Sequence, residues 1–421
     1  MSTLQNCSKG GPDLITNTGR TDPGCAGLRG RTISAARSDG TVMDAAIGPL
    51  DRARLLVAEF AARAAQHDRD ASFPFENFDR LSEAGLLALP VARGFGGQGA
   101  GALELVRVLG LIAQGDAATA LVLSMHYIQH YLLQRDDRFP LHLTRRLSTE
   151  SVRGVALINA LRVEPELGSP ARGGLPATTA SRQGDHWLIS GRKIYSTGAP
   201  ILKYYLVWAK TDEPEPRVGS FLVPAGLPGT TIVETWDHLG QRASGSHDVV
   251  FDQVRVPLDH AIDVRLPAEW QTPNAVQNAI HSLFIAAIYD GVARAARNWL
   301  VDFLQQRKPA NLGAALATLP RAQEALGDIE VRLAVNTRLI ETAAAEQDLG
   351  GVAVSDAHAV KLTVTTNAIE AVQTALSLSS NHGLSRRNPL ERYYRDVLCG
   401  RVHTPQDDSI KLAAGRAALG I

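Results

Sequence analysis

Cysteine is scarce in this chain of 421 residues: Cys7, Cys25 and Cys399 are all it has. Three scattered thiols exclude a disulfide framework and a cysteine-based zinc site. An excess of either charge is also missing, with 43 Lys and Arg against 43 Asp and Glu. Electrostatic capture of nucleic acid or of an anionic membrane needs a basic surplus or patch, so neither partner is expected. No apolar run approaches the roughly 20 residues that span a bilayer, and the N-terminus lacks the apolar stretch of a secretory signal. A soluble, cytoplasmic, globular protein is the expectation. With 45% apolar residues, the chain can bury a sizeable core.

Hydrophobic periodicity divides the chain. Residues 1–42 are rich in Gly, Ser, Thr and Asn, carry no period, and are expected not to pack. Met43, one of three methionines, opens the patterned sequence. It marks either a true start, with 1–42 an extension of the reading frame, or the end of a real disordered tail. Over 43–150 the period is helical. Leu55, Leu56, Phe60 and Ala64 mark one helix; Phe75, Phe78 and Leu81 mark another that Gly85 ends; Asp116 caps the run Ala117–Leu133. The Gly-rich stretch Pro90–Gly101 has neither a dinucleotide fingerprint nor a Gly-Lys-Ser/Thr, and reads as a sharp connection. Over 151–260 the period becomes two, with strands at Trp187–Ile189, Tyr204–Ala209, Ser220–Val223 and Asp248–Val256 and a hairpin turn at Gln183–Asp185. Over 261–421 long Ala-rich helices return. Their faces run along Ile285–Phe303, Leu326–Ile340 and Val360–Leu378, with shorter helices over 389–398 and 406–419. The expected fold is α+β: an N-terminal helical domain, a central β domain and a C-terminal four-helix bundle.

Three ordered segments add chemistry to this architecture. They are Leu239–Pro257 (LGQRASGSHDVVFDQVRVP), Val163–Ser169 (VEPELGS) and Leu384–Asp396 (LSRRNPLERYYRD). Together they resemble the signatures of the acyl-CoA dehydrogenase superfamily, over essentially all of 44–420. The resemblance implies a flavin, FAD or FMN, between β domain and bundle, in a homotetramer. By the same resemblance Val163, Ser169, Tyr195, Ser196 and Thr197 contact the flavin. Arg307 reaches a neighbouring subunit's cofactor phosphates, beside Ser380 and Asn381.

The departures from that pattern bear on the reaction. Dehydrogenation needs a carboxylate base within hydrogen-bond reach of the carbon alpha to a thioester carbonyl. One family position for that Glu falls on Thr404, beside His403, and the other on His281. Ser380-Asn381 replaces a Gly-Gly pair, and only the Arg and a displaced Gly of the Arg-x-x-Phe-Gly segment survive at Arg307–Gly313. These losses put the adenine half of FAD in doubt and leave FMN competitive. The pattern resembles the monooxygenase branch, which includes dibenzothiophene and hydroxyphenylacetate monooxygenases and sulfur-acquisition oxidoreductases. That branch takes reduced flavin from a partner reductase and reacts it with oxygen and a small organic substrate. His403 and His126 are then the candidate proton carriers, because an unperturbed imidazole titrates near pH 6.5. The alternative is an acyl-CoA dehydrogenase whose base is Asp407 or Asp408. His130, one turn beyond His126, lacks a third ligand for a metal. Arg392, Arg395 and Asp396 read as structural ion pairs, and Cys399 as packing.

Deletion of residues 1–42 should leave folding, assembly and flavin binding unchanged, because the segment has no periodic apolar surface to bury. Melting temperature and sizing of the truncated protein check this; a clearly lower melting temperature or a broken oligomer contradicts it.

Overall fold

A computed structural model describes residues 47–167, 174–270 and 274–421. The 1–42 tail and Ser169 lie outside the described residues. Five helices come first: α1 (Pro49–Asp70), α2 (Phe75–Glu83), α3 (Ala102–Gly115), α4 (Ala117–Leu133) and α5 (Leu141–Arg153). Eight strands follow: β1 (Leu157–Leu161), β2 (Thr179–Gln183), β3 (His186–Lys193), β4 (Leu202–Thr211), β5 (Val218–Pro224), β6 (Thr230–Val233), β7 (Asp248–Pro257) and β8 (Ala261–Arg265). Helices then return as α6 (Ala275–Gln306), α7 (Pro320–Leu349), α8 (Val354–Ser379), α9 (Asn381–Leu384), α10 (Leu390–Leu398) and α11 (Asp407–Leu419).

Local chemistry explains the boundaries. The Asp116 carboxylate accepts from the Thr119 N–H at 3.1 Å and caps α4. Gly85 takes a left-handed φ of +65° just after α2, where the Leu86 N–H returns to the Leu81 carbonyl. In the Gly-rich connection, a Cβ at Gly97 would sit 2.2 Å from the Val91 carbonyl oxygen, so only glycine allows the fold-back. The Ala102 and Leu103 N–H groups that open α3 both donate to Asp348 of α7, at 2.6 and 3.0 Å. Two helix-terminal donors are thereby satisfied from a residue 245 or more positions away. Leu55 and Phe75 are corrections to the sequence reading: both are exposed, and the buried faces use Ala53, Leu56, Phe60 and Ala64, then Phe78 and Leu81.

The strands form one sheet in the order β6-β7-β3-β2-β4-β5-β8, with β1 parallel to β4. A two-residue turn, Gly184-Asp185, joins β2 and β3 as the sequence suggests, and Gly184 has φ +57°. Strands β4 and β5 are buried on both faces. One face joins the main core; the other, with Ile158, Tyr204, Leu206 and Leu222, packs on Leu143 and Leu147 of α5. The main core is continuous from Ala53 of α1 through the sheet to Val397 of α10. Antiparallel α6, α7 and α8 form the body of the bundle, with α10 against α6 and α8. Helix α11 buries only Ile410.

Ser380, at the end of α8, holds φ +51° and ψ −138°, a conformation suited to glycine. Ser380→Gly should therefore stabilise the chain by about 1 kcal/mol, net of glycine's larger unfolded-state entropy. A thermal melt checks this; an unchanged or lower melting temperature contradicts it.

Candidate active site

Two groups of side chains, one on the sheet and its loops and one on α6, α8 and the segment before α11, come within electrostatic reach of each other at Arg162–His281 and Gln241–Tyr289. The first is set by a buried ion pair. Lys193 and Glu164 are both sealed from solvent and bond at 2.7 Å. Glu164 also accepts from the Ala177 N–H at 2.6 Å, the Thr178 N–H at 3.0 Å and the Thr178 hydroxyl. Burial pushes the Lys193 ammonium down to about 8 against the pull of Glu164. Burial would raise the Glu164 carboxyl, but Lys193 and Thr178 together hold it below its ordinary value. Next to this pair, the Ile194 N–H donates to the Val163 carbonyl at 3.0 Å, so Val163 lies beside the Tyr195-Ser196-Thr197 segment.

That segment is held by the signature loop after β6. The Ser196 N–H donates to His247 O at 3.0 Å, and the hydroxyls of Thr197 and Ser246 lie 3.0 Å apart. Tyr195 takes φ +55° and is exposed, with its ring 6.2 Å from Trp236 and 5.8 Å from His238. The Ser196 hydroxyl is buried without a hydrogen-bond partner. So are both polar atoms of the Gln241 side chain, which faces the Tyr289 hydroxyl without reaching hydrogen-bond geometry. Buried polar atoms left open in this way can be completed by a ligand or by water.

The second group comes from the bundle. His403 Nε2 lies 2.8 Å from the hydroxyl of buried Tyr289 on α6. Lys361 of α8 is wholly buried and bonds Asp407 Oδ1 at 3.1 Å. His281 Nε2 is buried and unpartnered. Burial, then Lys361, Arg162 and His358, push His281 down to about 4; burial, then His281 and Lys361, push His403 down to about 3. Both imidazoles are therefore neutral at pH 7. This corrects the expectation of a histidine titrating near neutrality.

The remaining expected residues lie elsewhere. His126 is a core histidine with both nitrogens engaged by main chain: Nε2 donates to Leu87 O at 3.1 Å, and Nδ1 accepts from the Ile158 N–H at 3.3 Å. It has no free nitrogen with which to carry a proton, which corrects the pairing of His126 with His403. Arg307, Ser380 and Asn381 are exposed at the far end of the bundle, where Phe303 meets His382 at 5.2 Å. Arg307 stands about 39 Å along the α6 axis from His281, at 1.5 Å per residue. Within one chain it does not approach the group around His403. Thr404 is exposed, Asp408 is exposed, and Asp407 is tied to Lys361.

Arg395 and Asp396 join three parts of the chain. Arg395 makes a two-pronged pair with Asp68 of α1, at 2.6 and 2.9 Å, and Asp396 accepts from the Gln241 N–H at 2.7 Å. The site residues that sequence reasoning missed are Arg162, Gln241, Tyr289 and Lys361. Lys361 carried a signal, a charge on the apolar stripe Ala357–Val364 of α8.

The helical, sheet and helical parts stand in the order of the N-terminal, middle and C-terminal domains of acyl-CoA dehydrogenases. The chain belongs to the acyl-CoA dehydrogenase family: profiles of its N-terminal, middle and C-terminal domains match residues 50–135, 162–254 and 281–404. The protein named putative acyl-CoA dehydrogenase YdbM, of Bacillus subtilis (strain 168), is 34% identical over 85% of this chain and 93% of its own. L-evernosamine nitrososynthase of a Micromonospora strain is 28% identical over 94% of this chain and 93% of its own. The structure of KijD3 in complex with FMN and a dTDP-amino-keto sugar superposes with TM-score 0.78 at 29% identity, covering 89% of this chain and 93% of that one.

Asp396 yields a pH prediction. Burial pushes its carboxyl up to about 7 against the Gln241 N–H and Arg392. The folded state therefore keeps a proton that the unfolded carboxyl loses near pH 4. This group's contribution to stability falls as pH rises through that window. The stability of Asp396→Asn relative to wild type should climb between about pH 4 and 7 and then level off. Melting temperatures of both proteins across that range test it; parallel curves contradict it.

Proposed function

We propose that this chain is a flavin-dependent monooxygenase that takes reduced FMN or FAD from a separate reductase. One observation carries the reading. At the two positions that the family resemblance assigns to a dehydrogenase's carboxylate base, this chain has His281, which burial holds neutral, and the exposed Thr404 beside His403, likewise held neutral. The neighbouring carboxylate, Asp407, is held by Lys361. The nitrososynthase relative and FMN-bound KijD3 support an oxygenating chemistry.

A flavin ring fits the open polar atoms. Ser196 and Gln241 would hydrogen-bond it, and the Val163 and Tyr195–Thr197 main chain would flank it. When bound and reduced, the flavin supplies the two electrons that oxygen chemistry needs. The His403–Tyr289 pair holds or passes one proton: the phenol donates to Nε2 in one tautomer of His403 and accepts from it in the other. Tyr289 is fully buried, and His403 is half-buried. Arg307 reaches cofactor phosphates only across a subunit boundary, in the homotetramer that the family pattern implies. The second reading, a dehydrogenase using Asp407, is favoured by the YdbM likeness and by that carboxylate's place beside His403 and Lys361.

The protein loaded with reduced flavin, mixed with oxygen, should release hydrogen peroxide more slowly than free reduced flavin does. His403→Ala and Tyr289→Phe should both speed that release. His403→Ala also leaves the buried Tyr289 hydroxyl unpaired, a loss of about 1–3 kcal/mol of stability; Tyr289→Phe leaves only Nε2 of the half-buried His403 unpaired, where water can replace the phenol. Peroxide release as fast as from free flavin, or indifferent to both variants, contradicts the proposal. Dye reduction by an acyl-CoA thioester that Asp407→Asn abolishes establishes the second reading instead.

A further inference from the structure

Arg162 follows the last residue of β1 and precedes the Val163-Glu164-Pro165 segment. Its guanidinium carbon lies 5.2 Å from the Trp208 ring centroid, and its Nε is sealed from solvent without an acceptor. Among the described residues no carboxylate pairs with it. Glu164, two positions on, is committed to Lys193, Ala177 and Thr178. Burial alone pushes the guanidinium's pKa down, with no opposing charge near enough to restore it.

Of the bundle side chains, His281 feels the charge of Arg162, and the groups around His281 add positive charge. Lys361 is wholly buried with one carboxylate, Asp407. His281 Nε2 is buried and open, and the charges of both Lys361 and Arg162 reach it. His358 and His403 complete the set, each with its pKa lowered chiefly by burial. Two cations, the wholly buried Lys361 and the half-buried Arg162 with its Nε sealed, stand against one carboxylate and leave an excess of one positive charge. A buried charge without a counter-ion is strongly unfavourable, whereas a guanidinium fork matches a carboxylate or a phosphate with two parallel hydrogen bonds.

We propose that Arg162, backed by Lys361 and open His281, binds an oxyanion group of the substrate, a carboxylate or a phosphate, at the sheet–bundle junction. The proposal rests on the oxidoreductase reading, which puts the substrate at this junction. The anion's charge neutralises the guanidinium, and its oxygens accept from Arg162 and from His281 Nε2–H. The substrate is thereby held by one end, with its reacting atom free to face the flavin.

The test is calorimetric titration of the flavin-loaded protein with benzoate, phenyl phosphate and neutral benzamide. One or both anions should bind about ten- to a hundred-fold more tightly than benzamide, as charge-assisted hydrogen bonds imply. The better anion names the group. Arg162→Gln should abolish the preference, and Arg162→Lys, which keeps the charge and loses the fork, should keep part of it. Titration with flavin should show similar affinity in wild type and both variants. Equal binding of benzoate, phenyl phosphate and benzamide overturns the proposal, as does a preference that survives Arg162→Gln. A variant that loses flavin affinity while keeping the anion preference also overturns it, and gives the guanidinium to the flavin. Repeating the titration on flavin-free protein separates the two readings: an Arg162-dependent anion preference in a chain that binds no flavin supports the anion site and removes the oxygenase.

Discussion

The fully buried pair of Lys193 and Glu164 is the interaction on which the site-forming face of the sheet depends. A lone charge at that depth is strongly unfavourable, so each residue requires the other, and breaking such a pair typically costs 3–5 kcal/mol. Glu164 fixes the chain end that carries Arg162 and Val163. Lys193 ends β3 and fixes the strand that continues into Tyr195–Thr197. Two segments far apart in sequence are brought into register by one charge pair, and the Ile194–Val163 hydrogen bond extends that register by a residue.

The same rule, that buried polar groups tend to be matched, distinguishes residues that hold the chain together from those with open atoms near the candidate site. Arg395 with Asp68, Asp396 with the Gln241 N–H, and His126 with Leu87 and Ile158 are matched within the chain and hold it together. The hydroxyl of Ser196, the amide of Gln241, Nε2 of His281 and Nε of Arg162 are not matched. They lie near the sheet–bundle junction, and an incoming molecule can complete them.

Much of the fold was legible in the sequence because its long helices repeat apolar residues over several turns. The strands β1, β6 and β8 were not. β1 is short and nearly all apolar, so it has no alternation to read, and β6 is largely exposed. Motif positions placed Val163, Tyr195–Thr197 and His403 beside the candidate site. The partners Lys361, Tyr289 and Arg162 were hidden, because their proximity joins β1, α6, α8 and the segment before α11. His126 misled for the opposite reason: residue type and helix suggested chemistry, while its two main-chain hydrogen bonds form only in the folded chain.

The electrostatics of the junction bear on the reaction class. On the proposed reading, imidazoles that burial holds neutral and a carboxylate paired with Lys361 surround the positions that the family resemblance assigns to a dehydrogenase's base. Such a site is poorly suited to removing a proton alpha to a thioester. The most direct measurement is therefore solvent exchange at that carbon. The flavin-loaded protein is incubated in deuterated water with short-, medium- and long-chain acyl-CoA thioesters, and α-deuterium is read by mass spectrometry. The account predicts no incorporation above the uncatalysed background. Incorporation by the wild-type protein that Asp407→Asn abolishes would contradict it.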